Sequence, residues 1–220
     1  MNTARITGIW YLMLAISGML GFLVLHPQIF ASDDPEKILS NLTQKVSLSR
    51  LRLLLEFTIV VSQALAAVWF YKLFRPINDW GAWAVGIWGM MNAAAIMISA
   101  ISMGSAIEIA NSTGPSHEEK IVLIRLLAQL IKHSWGVGSL FFGLWLIPMG
   151  HIVISSKRMP LWLGRILMLG GFGYILIAFI NYTGFVNQYL EILVIPATIG
   201  EFWMIGYLLL YGIRPRPLNE

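Results

Sequence analysis

Two carboxylates, Glu56 and Glu201, stand inside stretches that are otherwise apolar enough to cross a membrane. An ionised group at the centre of a bilayer costs at least about 2.5–3.5 kcal/mol, so such a residue normally faces a bundle interior or a cavity and often serves a ligand, an ion or a proton. Counting from the outer ends of their helices puts both roughly 12–14 Å deep at helical rise. The bland alternative is local pairing. Arg52 precedes Glu56 by one helical turn and could neutralise it, and Glu201 could hydrogen-bond a neighbouring helix.

A second constellation is cationic. Arg125, Gln129, Lys132 and His133 recur at three- and four-residue steps and make one polar stripe on an apolar cylinder. Facing Glu56 and Glu201, the stripe would give mutually compensating charges in an outward-opening cavity, as in a proton-coupled carrier or an anionic-ligand site. A structural ion network would look the same. Gln63 and Asn92 could extend that pocket or simply bond helices together. Trp135 is one of several tryptophans that could line it, against the commoner use of tryptophan in interfacial belts.

Other chemistries lack their residues. There is no cysteine, and so no disulfide, thiolate metal site or cysteine nucleophile. His133 and His151 share a face of one helix and invite a haem reading; His26 could partner His133, but nothing partners His151 at its depth, so neither haem nor another metal or cofactor is expected. His-Glu-x-x-His and a phosphate-binding glycine loop are missing, and Glu118-Glu119 is followed by Leu123 where an intramembrane prenyl-protease pattern needs arginine. The residues therefore lean away from an enzyme.

The elements that must position these residues follow from hydropathy. Of 220 residues 57% are hydrophobic and 12% charged, and the mean hydropathy is +0.72. Soluble domains carry about a quarter charged residues. The expected fold class is all-α, a polytopic membrane bundle with about six crossings in a single transmembrane domain over 1–220. The helices are expected over about 6–25, 48–74, 82–106, 117–154, 161–180 and 192–213. Asp34-Pro35-Glu36 followed by Ile38, Leu39, Leu42 and Val46 predicts a short amphipathic surface helix on the extracytoplasmic face. Ser116 and Glu119 have capping-box spacing and start the fourth helix. At 1.5 Å per residue that helix is nearly twice the thickness of the hydrocarbon, so it must protrude, tilt or break, with Gly136-Val137-Gly138 as the natural bend.

The net charge of +4 is small, and its cations cluster at helix ends, which suits lipid headgroups and excludes a nucleic-acid partner. Arg5, Lys72, Arg75, Lys157, Arg158, Arg165, Arg214 and Arg216 fall on one side and Lys37, Lys45, Arg50, Arg52, Lys120, Arg125 and Lys132 on the other, so counting alone does not decide, but the first group is the more concentrated in short loops and the tail. The positive-inside rule then puts both termini in the cytoplasm.

Phe141-Phe142-Gly143-Leu144-Trp145, then Pro148 and Gly150, then Met159-Pro160-Leu161-Trp162-Leu163-Gly164 and Tyr174 resemble the bacterial family catalogued as domain of unknown function 4386. Pro196, Glu201-Phe202-Trp203, Leu208, Leu209 and Gly212 agree, as do Arg5, Gly8 and Arg75-Pro76. The resemblance covers nearly the whole chain. It implies a six-helix protein of the bacterial cytoplasmic membrane and brings no catalytic residue with it. The residues themselves favour binding or proton-linked translocation of a small amphipathic molecule or ion. A scaffold or sensor acting through helix contacts, with glycines at Gly170 and Gly171 as its association face, is the alternative. An unrecognised intramembrane enzyme is the third. Membrane lipids are the expected partners, along with a homo-oligomeric second copy.

Overall fold

The structure is a computed structural model that describes residues 2–183 and 188–215. Arg216 of the expected basic tail lies outside them. Every regular element among the described residues is helical. Six helices are long and apolar enough to cross a membrane: α1 (Thr3–Ile29), α3 (Val46–Phe74), α4 (Asp79–Asn111), α5 (His117–Ser156), α6 (Leu161–Ile180) and α7 (Ile195–Leu210, extended by a 3-10 turn over Gln188–Val194). The short surface helix is α2 (Pro35–Gln44).

Local chemistry sets the boundaries. The Asp34 carboxylate accepts from the Glu36 backbone N–H at 3.0 Å, and Pro35 occupies the first turn, where its missing N–H is not needed. At the start of α5 the Ser116 N–H donates to Glu119 Oε2 at 2.8 Å and the Glu119 N–H donates back to Ser116 Oγ at 3.3 Å, the expected capping box. Lys120 then folds back to donate to the last carbonyls of α4, Ala110 and Ser112. Near its end, α1 widens into a π-helical segment over Met19–Leu25 just before Pro27, a residue that cannot donate to the helical ladder.

α5 does not break. It runs 40 residues, about 60 Å, with Pro148 inside it. The glycines expected to bend it serve close approach instead: a Cβ at Gly136 would stand 2.9 Å from the Tyr182 hydroxyl, and one at Gly138 would stand 3.1 Å from Asn92 Oδ1. The sequence could not separate these uses, because both need glycine.

Packing divides the chain into two compact units. The first comprises Met1–Leu12, Ser62–Asn92 and Gly136–Glu220. Its core holds Phe70, Phe74, Trp145, Leu163, Leu167 and Met204, all essentially inaccessible. Glycines bring α6 against its neighbours, since a Cβ at Gly143 would lie 2.5 Å from the Gly171 carbonyl and one at Gly170 would lie 2.3 Å from Ala197 Cα. Gly170 and Gly171, the association face expected of a scaffold, are therefore spent on packing inside the chain. At one end of this unit Lys72 lies over Trp69 at 4.6 Å, Arg75 over Tyr71 at 5.8 Å and Arg165 over Trp162 at 4.9 Å, the cation-on-ring pairing suited to a membrane interface.

The second unit comprises Met13–Val61 and Ala93–Trp135. Here α2 lays Ile38, Leu39 and Leu42 onto Met103, Ala106 and Ile107 of α4 and Ile124 and Ile131 of α5. Each of the three covering side chains contributes roughly 1.5–3 kcal/mol by leaving water. That burial makes α2 an integral cap on this unit.

Candidate functional site

The residues singled out in sequence fall into three places. Glu56 is in the second unit and is 1% exposed, on the inner face of α3. One turn earlier on the same helix, Arg52 pairs with it through Nη1 and Oε2. Oε1 accepts from Ser99 Oγ of α4 at 2.5 Å and from Trp135 Nε1 of α5 at 3.1 Å, and the indole also reaches Ser99 Oγ at 3.1 Å. The charge of Glu56 is thus neutralised by one cation and its lone pairs are taken by donors from two further helices. Of the two readings open in sequence, this is the local pair.

The arginine is completed from α1. Arg52 Nη2 stands 3.4 Å from His26 Nδ1, and the imidazole is stacked between Phe22 at 4.7 Å and Phe30 at 4.8 Å. The Phe22 ring also meets Trp135 at 4.3 Å. Arg52 Nε and the Ser49 hydroxyl, a turn away, are buried without a hydrogen-bond partner among the described residues. Ser99 and His26 were missed as members of this network. A small polar residue in an alanine-rich helix reads as a packing signal, and a histidine beside a proline as a loop signal or a haem partner for His133, until Arg52 and Glu56 are seen with them.

Glu201 is in the first unit. Its carboxyl, half-buried on α7, accepts from the Tyr11 hydroxyl of α1 at 2.7 Å, and no cation lies within ion-pair distance of it among the described residues. Tyr11 is 1% exposed and held edge-on by Phe70 at 5.3 Å and Trp145 at 5.5 Å. Trp145 is a core residue, neither belt nor pocket lining, and its ring lies 2.7 Å from where a Gly89 Cβ would be. The Gly89 carbonyl accepts from Gln63 Nε2 at 3.2 Å. Gln63 and Asn92 are both fully buried, and Gln63 Oε1 and both amide atoms of Asn92 have no hydrogen-bond partner among the described residues. The Tyr11–Glu201 hydrogen bond, the Gln63 amide on the Gly89 carbonyl and the buried Asn92 amide are thus separate polar features of one unit. Sequence alone does not single out Tyr11, because a tyrosine near the start of a membrane helix reads as an interfacial aromatic.

The cationic stripe occupies the third place. Arg125, Gln129, Lys132 and His133 line a cleft of about 440 Å³ on the second unit, closed on its other side by the Asp33–Ile38 segment. Lys132 Nζ is 3.9 Å from Asp33 Oδ1, with both side chains well exposed. The cation that meets Glu56 is Arg52, and the stripe faces this surface cleft. Among the described residues no group of three or more His, Cys, Asp or Glu could hold a metal ion.

The model of a family described as a domain of unknown function, DUF4386, matches residues 6–212. The chain belongs to the DUF4386 family. A relative from Archaeoglobus fulgidus, described as an uncharacterized protein, is 24% identical over 164 residues, which is 74% of this chain and 83% of the relative. No solved structure matches. Membership in DUF4386 gives no reaction, so any activity has to be argued from the three places above.

Proposed function

We infer that this DUF4386 protein binds a small amphipathic molecule or ion within the membrane and couples that binding to a proton, with Glu201 as the exchanging group. The observation that carries the reading is the contrast at Glu201: a half-buried carboxyl in a membrane span that accepts from one tyrosine hydroxyl and has no cation beside it among the described residues. When ionised, such a group carries an uncompensated charge, and a proton or a cationic ligand is what balances it. Gln63 and Asn92 supply buried amide groups in the same unit with hydrogen-bonding capacity to spare. Glu56 and Arg52 serve this reading as the rigid frame of the other unit, and Arg125, Gln129, Lys132 and His133 as a separate surface. The protein sits in the bacterial cytoplasmic membrane with both termini inside, on the strength of Lys72, Arg75, Lys157 and Arg158 in short connections.

The probe is tetraphenylphosphonium, a lipophilic cation, with binding to protein in nanodiscs measured by equilibrium dialysis between pH 5 and 8. Wild-type protein is expected to bind more as the pH rises, and Glu201→Gln is expected to lose that pH-dependent component at an unchanged melting temperature. Equal, pH-independent binding by both proteins would sink the reading.

A further inference from the structure

We propose that the cleft between α5 and the Asp33–Ile38 segment is a headgroup site for an anionic membrane phospholipid, with the lipid phosphate seated between Arg125 and Lys132. The inference goes beyond the Glu201 reading and does not need it, because every residue it uses lies in the second unit.

The chemistry of the wall points to phosphate. Arg125 offers a planar fork of N–H donors, Lys132 an ammonium and Gln129 an amide, one above another along α5, with His133 beside them. Asp33 is the acid of the cleft, and at 3.9 Å from Lys132 Nζ it is beyond hydrogen-bond range. Phosphodiester oxygens can therefore take the ammonium's donors without displacing a formed hydrogen bond between the two. The cleft volume of about 440 Å³ is of small-ligand size.

The position points to a lipid as the source of that phosphate. Lys132 and His133 are the last basic residues on α5 before a run with no Asp, Glu, Lys or Arg through Ser156, so the stripe stands where the hydrocarbon gives way to headgroups. Trp135 confirms the register inside this unit. One turn further along, it already donates to the membrane-buried Glu56. Beside the basic positions Leu126 and Leu130 are 53% and 40% exposed, four residues apart on one face. An acyl chain hanging from a phosphate in the cleft covers that face, and a free phosphate would leave it bare.

The test is native mass spectrometry of the full chain released from detergent micelles doped with equal phosphatidylglycerol and phosphatidylcholine. Selective retention of phosphatidylglycerol is expected, weakened about tenfold or more in Arg125→Ala/Lys132→Ala, since each basic side chain near a lipid surface is worth about 1 kcal/mol. Asp33→Asn is expected to strengthen retention, and Lys37→Ala, exposed on α2 outside the cleft, to leave it unchanged. Should the double variant misfold, the Asp33→Asn gain decides the matter. Equal retention of the two lipids, an unaffected double variant, no gain with Asp33→Asn or an equal loss with Lys37→Ala would each overturn the proposal. Competition by millimolar inorganic phosphate would assign the cleft to a soluble anion and overturn it too. None of these outcomes bears on Glu201, whose test uses a cation.

Discussion

Glu56 and Glu201 are the same side chain in the same kind of setting, yet their surroundings differ in every respect that decides what a carboxylate can do. Glu56 meets a guanidinium, a hydroxyl and an indole N–H supplied by three helices. Glu201 meets one phenol. Moving charges out of water costs several kcal/mol per ion, and a close cation with further hydrogen bonds offsets it. The second unit offsets that cost at the Glu56 carboxylate, although Arg52 Nε stays unpartnered among the described residues, and so fixes α3, α4 and α5 against one another. The first unit leaves it open at Glu201. A carboxylate already held by a cation and two further donors has little left to exchange, whereas one without a cation does, and this is why the functional reading moves to Glu201 while Glu56 becomes architecture.

The sharpest way to break this comparison is to remove the cation. Arg52→Leu leaves Glu56 buried and unpaired, and is expected to destabilise the protein by about 3–5 kcal/mol. The loss should appear as a large drop in melting temperature in detergent. Arg52→Leu/Glu56→Leu should recover most of it, because a buried pair replaced by apolar residues of similar volume is often close to neutral. A double variant as unstable as the single would mean that the pair is needed for more than charge balance. Glu201→Gln, by contrast, unpairs no cation and should leave stability within roughly 1 kcal/mol of wild type.

The next effect concerns how the first unit is packed. Gly170→Ala places a methyl group 2.3 Å from Ala197 Cα, a backbone atom that cannot swing aside. Overpacking of this kind costs about 1–3 kcal/mol. Unfolding should shift by that amount with no change in oligomeric mass by light scattering. If the mass changes and stability does not, Gly170 faces another molecule and the scaffold reading regains its support.

How much of this was written in the chain differs between fold and site. The apolar stretches, the Asp34 cap and the Ser116–Glu119 box locate the helices, because each depends on residues within one turn of one another. Helix ends were less legible. α4 begins at Asp79 and reaches Asn111, outside the expected 82–106 on both sides, since polar residues continue a helix once neighbouring helices support it. In the site, the Arg52–Glu56 pair is legible because it is one turn apart, while Ser99 and Trp135, 43 and 79 residues from Glu56, are not. Periodicity says which residues share a face of one helix, as it does for Arg125, Gln129, Lys132 and His133. It does not say which helix that face meets, and the stripe meets the Asp33 segment instead of the carboxylates.

The smallest change sharpens the comparison most, because it touches the open carboxyl without removing it. Tyr11→Phe deletes the hydroxyl that, among the described residues, donates to Glu201 and keeps the ring between Phe70 and Trp145. The expected stability cost is about 1 kcal/mol, that of a single hydrogen bond. Its effect on function should exceed its effect on stability. With the phenol gone, the Glu201 carboxyl loses its described donor. The pH profile of tetraphenylphosphonium binding should therefore differ from wild type in Tyr11→Phe, whereas Glu201→Gln has no pH-dependent component to change. A Tyr11→Phe profile that superimposes on wild type would mean that the phenol does not govern the carboxyl. The difference between the two units would then lie in what surrounds Glu201 beyond Tyr11, with Tyr174, whose phenol interacts electrostatically with the carboxyl, the next residue to replace.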